Sequence, residues 1–147
     1  MGLADAESAE HGVPSSNLLI TPVACPMPAR AAGAPKLSGT AKIRLRPETR
    51  ARQIYGCEEI AEHYFCNYEV NPAYLEPLEA AGLVLSGFSE DGAVRIAELP
   101  DRPFFVATLF QPQLSSQAGN PHPLITSFVR ACGEPAMIRR QEALTYL

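Results

Sequence analysis

One stretch limits what this chain can fold into more than any other: Phe104-Phe105-Val106-Ala107-Thr108-Leu109-Phe110, followed at once by Gln111-Pro112-Gln113-Leu114. The run is apolar or nearly so and rich in aromatic and β-branched residues, which reads as a central strand buried on both faces. Pro112 ends the ladder, because proline has no N–H to donate and fixes its own φ. A buried strand that runs into a Pro-punctuated polar loop is a usual place for α/β chemistry. Gln111 and Gln113 are therefore the first candidate site residues.

The rest of the chain supplies partners for such a strand. Met1 to Glu10 has helix-forming composition, ended by Gly12 and Pro14. Asn17 to Thr21 is a short apolar strand. Pro22 to Gly39 carries four prolines besides Gly33 and reads as a long irregular loop. Ser38 to Leu45 alternates as a strand, and Arg50 to Tyr55 is a helical turn closed by Gly56. Glu59 to Val70 predicts a strand or a bent strand pair, then a turn at Asn71-Pro72-Ala73-Tyr74. A short helix follows, with Pro77 at its first position, Leu78 inward and Gly82 as cap. Leu83–Phe88 and Ala93–Leu99 form a hairpin across Glu90-Asp91-Gly92, with Val94 and Ile96 on one face. Pro123 opens an amphipathic helix whose Leu124, Ile125, Phe128, Val129 and Cys132 share a face, up to Gly133.

Composition narrows the function. The 147 residues are enough for one domain with a real core. The net charge is −4, and Arg44, Arg46, Arg50 and Arg52 are interrupted by Glu48, so they read as a solvated edge rather than a phosphate site. Nucleic-acid binding lacks its electrostatic footprint, and no apolar run approaches the roughly 20 residues of a membrane span. The acidic, Ala-rich start is unlike a signal peptide, which makes the cytoplasm the expected compartment. Cys25, Cys57, Cys66 and Cys132 show no paired spacing, so reduced thiols are expected. Cys57, His63 and Cys66 form only a loose triplet, and neither metal nor cofactor is predicted.

Several motifs carry a family resemblance. Arg102-Pro103-Phe104-Phe105-Val106-Ala107-Thr108-Leu109-Phe110-Gln111-Pro112-Gln113, then Ser116 and Pro121-His122-Pro123-Leu124, resembles the end of the glutamine amidotransferase domain of CTP synthases. Tyr68-Glu69-Val70-Asn71-Pro72 and Leu78-Glu79-Ala80-Ala81-Gly82-Leu83-Val84-Leu85-Ser86-Gly87 are similar to two further segments of that family. So is the Gly39-Thr40 strand. The likeness spans roughly Asn17 to Cys132, and it is closer still to a branch of CTP synthase C-terminal region-related proteins that includes selenoproteins. It implies an α/β fold: a partial flavodoxin-like, class I glutamine amidotransferase-like mixed sheet with flanking helices. Residues 1–133 would be a single incomplete domain and 134–147 a tail.

The resemblance also shows departures. The family loop reads His-Pro-Glu, and its His and Glu complete a triad with a Cys set in a Gly-x-Cys-x-Gly elbow. Here the two positions are Gln111 and Gln113, and no such elbow occurs in the sequence. A neutral amide does not titrate usefully, so Gln111 cannot replace an imidazole, nor can Gln113 supply the orienting charge. The two amides read either as recognition groups for an amide ligand or as polar residues at a strand end. Where the family packs His and Arg before Tyr-Glu-Val-Asn, this chain has Glu62-His63-Tyr64-Phe65-Cys66-Asn67. Asn67, Tyr68, Glu69 and Gln111 are thus the ligand-binding candidates.

The expected function is a degenerate binding or assembly module without glutaminase activity of its own. The alternative is a thiol-dependent enzyme using Cys25 or Cys66, with Glu69 or Asn67 nearby. On a strand His63 and Cys66 point to opposite faces, and Cys66 between Tyr64 and Tyr68 reads as core packing. Cys132 reads as structural and His122 as a rigid loop residue, while His11 belongs to a mobile terminus. Against the family pattern the first strands, helices and nucleophile elbow are missing. A central strand deprived of neighbours should recruit a second copy or a complementary subunit.

Overall fold

The computed structural model describes residues 5–12, 14–23 and 38–133. Its strands in chain order are β1 (Glu7–Ser8), β2 (Leu18–Pro22), β3 (Ser38–Leu45), β4 (Glu59–Phe65), β5 (Tyr68–Val70), β6 (Val84–Ser89), β7 (Val94–Glu98) and β8 (Val106–Thr108). The helices are α1 (Arg50–Tyr55), α2 (Leu75–Ala80) and α3 (Pro123–Gly133). A five-stranded antiparallel sheet runs β4-β3-β6-β7-β8, and a smaller sheet runs β1-β2-β5. Among the described residues only β1 and β2 pair in parallel. This is the expected α/β class, with short helices laid against curled sheets.

Alternation explains the larger sheet. On β3, Ile43 and Leu45 point inward while Lys42 and Arg44 face water. Ile43, Leu45, Ala51, Ile60, Ile96, Phe110 and Leu124 form one core cluster. Between β6 and β7 the register shifts on either side of Gly87. A Cβ at Gly87 would lie 2.7 Å from Ile96 Cγ1, so glycine is what lets the two strands close there.

Helix α1 has only six residues and depends on its caps. Thr49 Oγ1 accepts from Arg52 N–H at 3.3 Å. Gly56 ends the helix in the left-handed region at φ +69°. The larger device comes from across the sheet. Buried Glu98 accepts the Arg50 and Ala51 backbone N–H groups at 2.9 and 2.8 Å, placing a carboxylate at the positive end of the helix.

Several expectations are corrected. The N-terminal helix is absent from the described residues: Glu7–Ser8 pairs with β2, and Ala9–His11 is a single 3₁₀ turn closed by Gly12. So short a segment cannot offset the cost of helix nucleation. His11 there lies 3.0 Å from Glu7. The run Phe104–Phe110 is not a central strand buried on both faces. Only Val106–Thr108 joins the ladder, and among the described residues it lies at the edge of the sheet, paired with β7 alone. Helix α2 starts at Leu75, which leaves Pro77 third in the first turn, where its missing N–H costs nothing. On α3 only Leu124 is buried; Phe128, Val129 and Cys132 are exposed, so Cys132 is not a core residue. The helix buries its first turn at Leu124, and further along Phe128 meets the Phe104 ring edge-on at 5.6 Å. The Pro22–Gly39 loop falls outside the described residues from 24 to 37, as does the tail from 134.

Glu98→Ala leaves two helix-start N–H groups without an acceptor and should cost about 2–3 kcal/mol. Urea unfolding should show a lower midpoint at unchanged slope.

Candidate functional site

The loop after β8 is where the sequence places its candidate chemistry. Gln111 N–H donates to the His63 carbonyl at 2.9 Å, which fastens the loop to β4. Pro112 then opens a 3₁₀ turn through Leu114, whose N–H returns to Gln111 C=O at 3.0 Å. The Gln111 side chain makes no capping bond to that turn. It borders an open cleft of about 580 Å³, floored by the paired ends of β3 and β4.

The polar side chains on this cleft are hydroxyls, an imidazole and an amide. Ser38 and Thr40 come from β3, and His63 and Tyr64 from β4. Thr40 and His63 are register partners, and Thr40 Oγ1 lies 3.2 Å from His63 Nδ1. Phe65, 45% exposed, and Leu114, 55% exposed, supply apolar rims. Gly39 lets the Tyr64 ring lie against the backbone, since a Cβ there would sit 3.0 Å from the Tyr64 hydroxyl. No Asp, Glu, Lys or Arg lines the cleft among the described residues.

The other sequence candidates lie elsewhere. Gln113 is exposed on the 3₁₀ turn and does not line the cleft. Tyr68 and Glu69 belong to β5, opposite Pro22 and Thr21, and Glu69 is buried. The Asn67 carbonyl accepts from Val23 N–H at 2.9 Å. Cys66 is half-buried at the break between β4 and β5, and its Sγ accepts the Tyr68 N–H at 3.4 Å. Cys25 lies outside the described residues. Cys57 is exposed, its thiol directed to the Glu59 carbonyl at 3.4 Å. Among the described residues no three His, Cys, Asp or Glu side chains gather as metal ligands, so Cys57, His63 and Cys66 form no such group.

A second cluster escaped the sequence reading. His122 is no mere loop residue: it is buried, and its Nε2 lies 2.8 Å from Glu62 Oε1, itself buried on β4. Tyr55 O–H, from the end of α1, donates to the same oxygen at 2.7 Å, and its ring meets the imidazole edge-on at 5.7 Å. Leu124 N–H donates to His122 Nδ1 at 3.3 Å. That bond assigns the proton to Nε2, which donates to Glu62. Glu62 Oε2 is buried as well, with no hydrogen-bond partner among the described residues. The alternation of β4 offered one clue: Glu62 shares its inward face with Ile60. Its partner lies 60 positions away, a separation no spacing rule reveals.

Burial pushes the Tyr55 phenol well above its usual range, and the bond to the Glu62 carboxylate pushes it further. Folded and unfolded forms are alike at neutral pH, where both phenols are protonated. Above the unfolded value of about 10 only the unfolded chain ionises, so the stability from this group falls as pH rises. Tyr55→Phe should therefore cost about 1 kcal/mol near neutrality and flatten the alkaline arm of the stability profile. Denaturant midpoints measured across alkaline pH would show both effects.

Comparison with known proteins gives this geometry a context. No family model matches the chain. CTP synthase from Saccharolobus solfataricus is 40% identical over 131 residues, 89% of this chain and 24% of that protein. CTP synthase from Rubrobacter xylanophilus is 50% identical over 95 residues, 64% of this chain and 17% of that protein. The Trypanosoma brucei CTP synthase glutaminase domain, solved with bound acivicin, superposes with a TM-score of 0.81 at 28% identity. That match covers 90% of this chain and 52% of the other. The chain thus spans about a quarter or less of the curated relatives it matches. Among the described residues no helix is long and apolar enough to cross a membrane. By sequence and by fold, the chain is related to the glutamine amidotransferase-like region of CTP synthases.

Proposed function

We propose that this chain is a glutaminase-type domain that does not hydrolyse glutamine on its own and serves as a cytoplasmic binding or assembly module. The observation that carries the reading is the placement of Gln111 on the cleft. The resembled family has a histidine at that position, and an amide can neither take up nor return a proton at working pH. The one imidazole among the described lining of the cleft, His63, is directed to the Thr40 hydroxyl rather than to a carboxylate.

What remains on the cleft suits recognition. The Gln111 amide can donate and accept at once, and the Ser38 and Thr40 hydroxyls do the same. With no Asp, Glu, Lys or Arg among its described lining, the cleft suits a small uncharged carboxamide better than the zwitterionic ends of free glutamine. Assembly with a second copy or a complementary subunit is the other part of the proposal, supported by the open edge of β8.

The test is ammonia release from glutamine by the purified 147-residue chain. No release above the buffer blank is expected, and sustained turnover would overturn the reading. Thiol labelling at neutral pH separates the alternative. Slow, even modification of the cysteines is expected, whereas rapid selective capture of Cys66 or Cys25 would favour a thiol-dependent enzyme.

A further inference from the structure

Among the described residues, the outer edge of β8 has no strand paired to it. Leu99 N–H donates to Phe105 C=O and Leu109 N–H to Arg95 C=O, while Ala107 pairs with Ala97. Residues 105, 107 and 109 therefore turn their backbone groups toward β7. By antiparallel alternation, Val106 and Thr108 direct theirs outward. The side chains follow the same alternation, with Thr108 also bordering the groove. Val106 and Phe110 pack on the core cluster. Phe105, Ala107 and Leu109 face an apolar groove of about 310 Å³, whose far wall includes Leu19, Ile20 and Val70 of the smaller sheet.

Such an edge normally carries a device against pairing: a charge, a proline or a bulge within the strand. Here Pro103 to Gln111 has no charged residue, and its one proline, Pro103, lies outside the three paired positions. Phe105 is left 40% exposed beside the groove.

We propose that this edge pairs with the same edge of a second copy, β8 against β8 about a twofold axis through Ala107. The proposal rests on the assembly half of the function given above and names the partner. Several features favour a copy of the chain. The sheet is antiparallel throughout, so a twofold-related strand continues its pattern. The register closes on itself: Val106 exchanges both backbone hydrogen bonds with Thr108 of the second copy, and the reverse. A strand meeting its own image also brings like charges together, and a neutral segment in a chain of net charge −4 avoids that cost. Across the axis, Phe105 lies opposite Leu109 of the second copy on the groove face. The contact is small, so the dimer should dissociate in the micromolar range.

Sedimentation velocity on the full chain over a wide concentration range tests this. Ala107→Lys sets two ammonium groups across the axis, with Cβ atoms about 5 Å apart, and Ala107→Glu does the same with carboxylates. Each variant alone should dimerise roughly tenfold or more weakly than the parent, and an equimolar mixture should recover the dimer. Thr108→Pro removes an outward N–H and leaves the β7 ladder intact, so it should also weaken association while circular dichroism stays unchanged. A parent chain that stays monomeric at hundreds of micromolar would overturn the proposal. So would a dimer indifferent to both Ala107→Lys and Thr108→Pro, or a mixture of opposite charges that stays monomeric. None of these outcomes bears on glutamine turnover, so the two readings fail separately.

Discussion

Adjacent residues of one strand hold both ends of the segment between β8 and α3, and the placement of the cleft depends on that. His63 offers its carbonyl to Gln111 N–H, and Glu62 offers its carboxylate to His122. The first fixes where the loop leaves the sheet, the second where it enters the helix. A buried carboxylate is costly unless it is hydrogen-bonded. Here two donors from separate elements, Tyr55 and His122, converge on one oxygen. Because each donor belongs to a different part of the chain, α1, β4 and the start of α3 can satisfy the carboxylate only when all three are in place. The pair thus specifies an arrangement more than it adds net stability.

Much of the fold was legible from local pattern. The alternation of Ser38–Leu45, the Asp-Gly turn before Ala93 and the Gly56 cap each appear where their chemistry puts them. Pattern failed where topology decides. Phe104–Phe110 is apolar on both faces, and that composition is real, since Val106 meets the core and Phe105 the groove. Composition says that both faces seek cover; it does not say that both strand edges are paired. The N-terminal segment failed for the opposite reason. Its helical propensity was too weak over so few residues to compete with a ladder to Leu18 and Ile20.

The candidate site was half legible. Gln111 was placed by the strand-then-proline signal, and it does border the cleft. Apart from Leu114 on the same loop, the rest of the lining comes from β3 and β4, whose contact depends on a register set far away at Ile43–Ile60. The Tyr55–Glu62–His122 cluster was invisible because its members are a helix terminus, a strand interior and a loop, joined only in three dimensions. A carboxylate at an inward position of a strand is the one warning such a cluster gives in sequence.

The separation of these two polar groups follows from the pleat. Successive residues of a strand point to opposite faces. Glu62 therefore goes inward to His122, while His63, its neighbour in sequence, goes outward to Thr40 and the cleft. The buried imidazole has a carboxylate but makes its contacts inside the core. The imidazole on the cleft has a hydroxyl partner, and the loop residue facing it is an amide. A one-residue slip of β4 would exchange the two, but it would also carry Ile60 out of the core and lose the Gln111 bond. The core thus keeps the Glu62 carboxylate on the far side of the strand from the cleft, where His63 has the Thr40 hydroxyl as its partner.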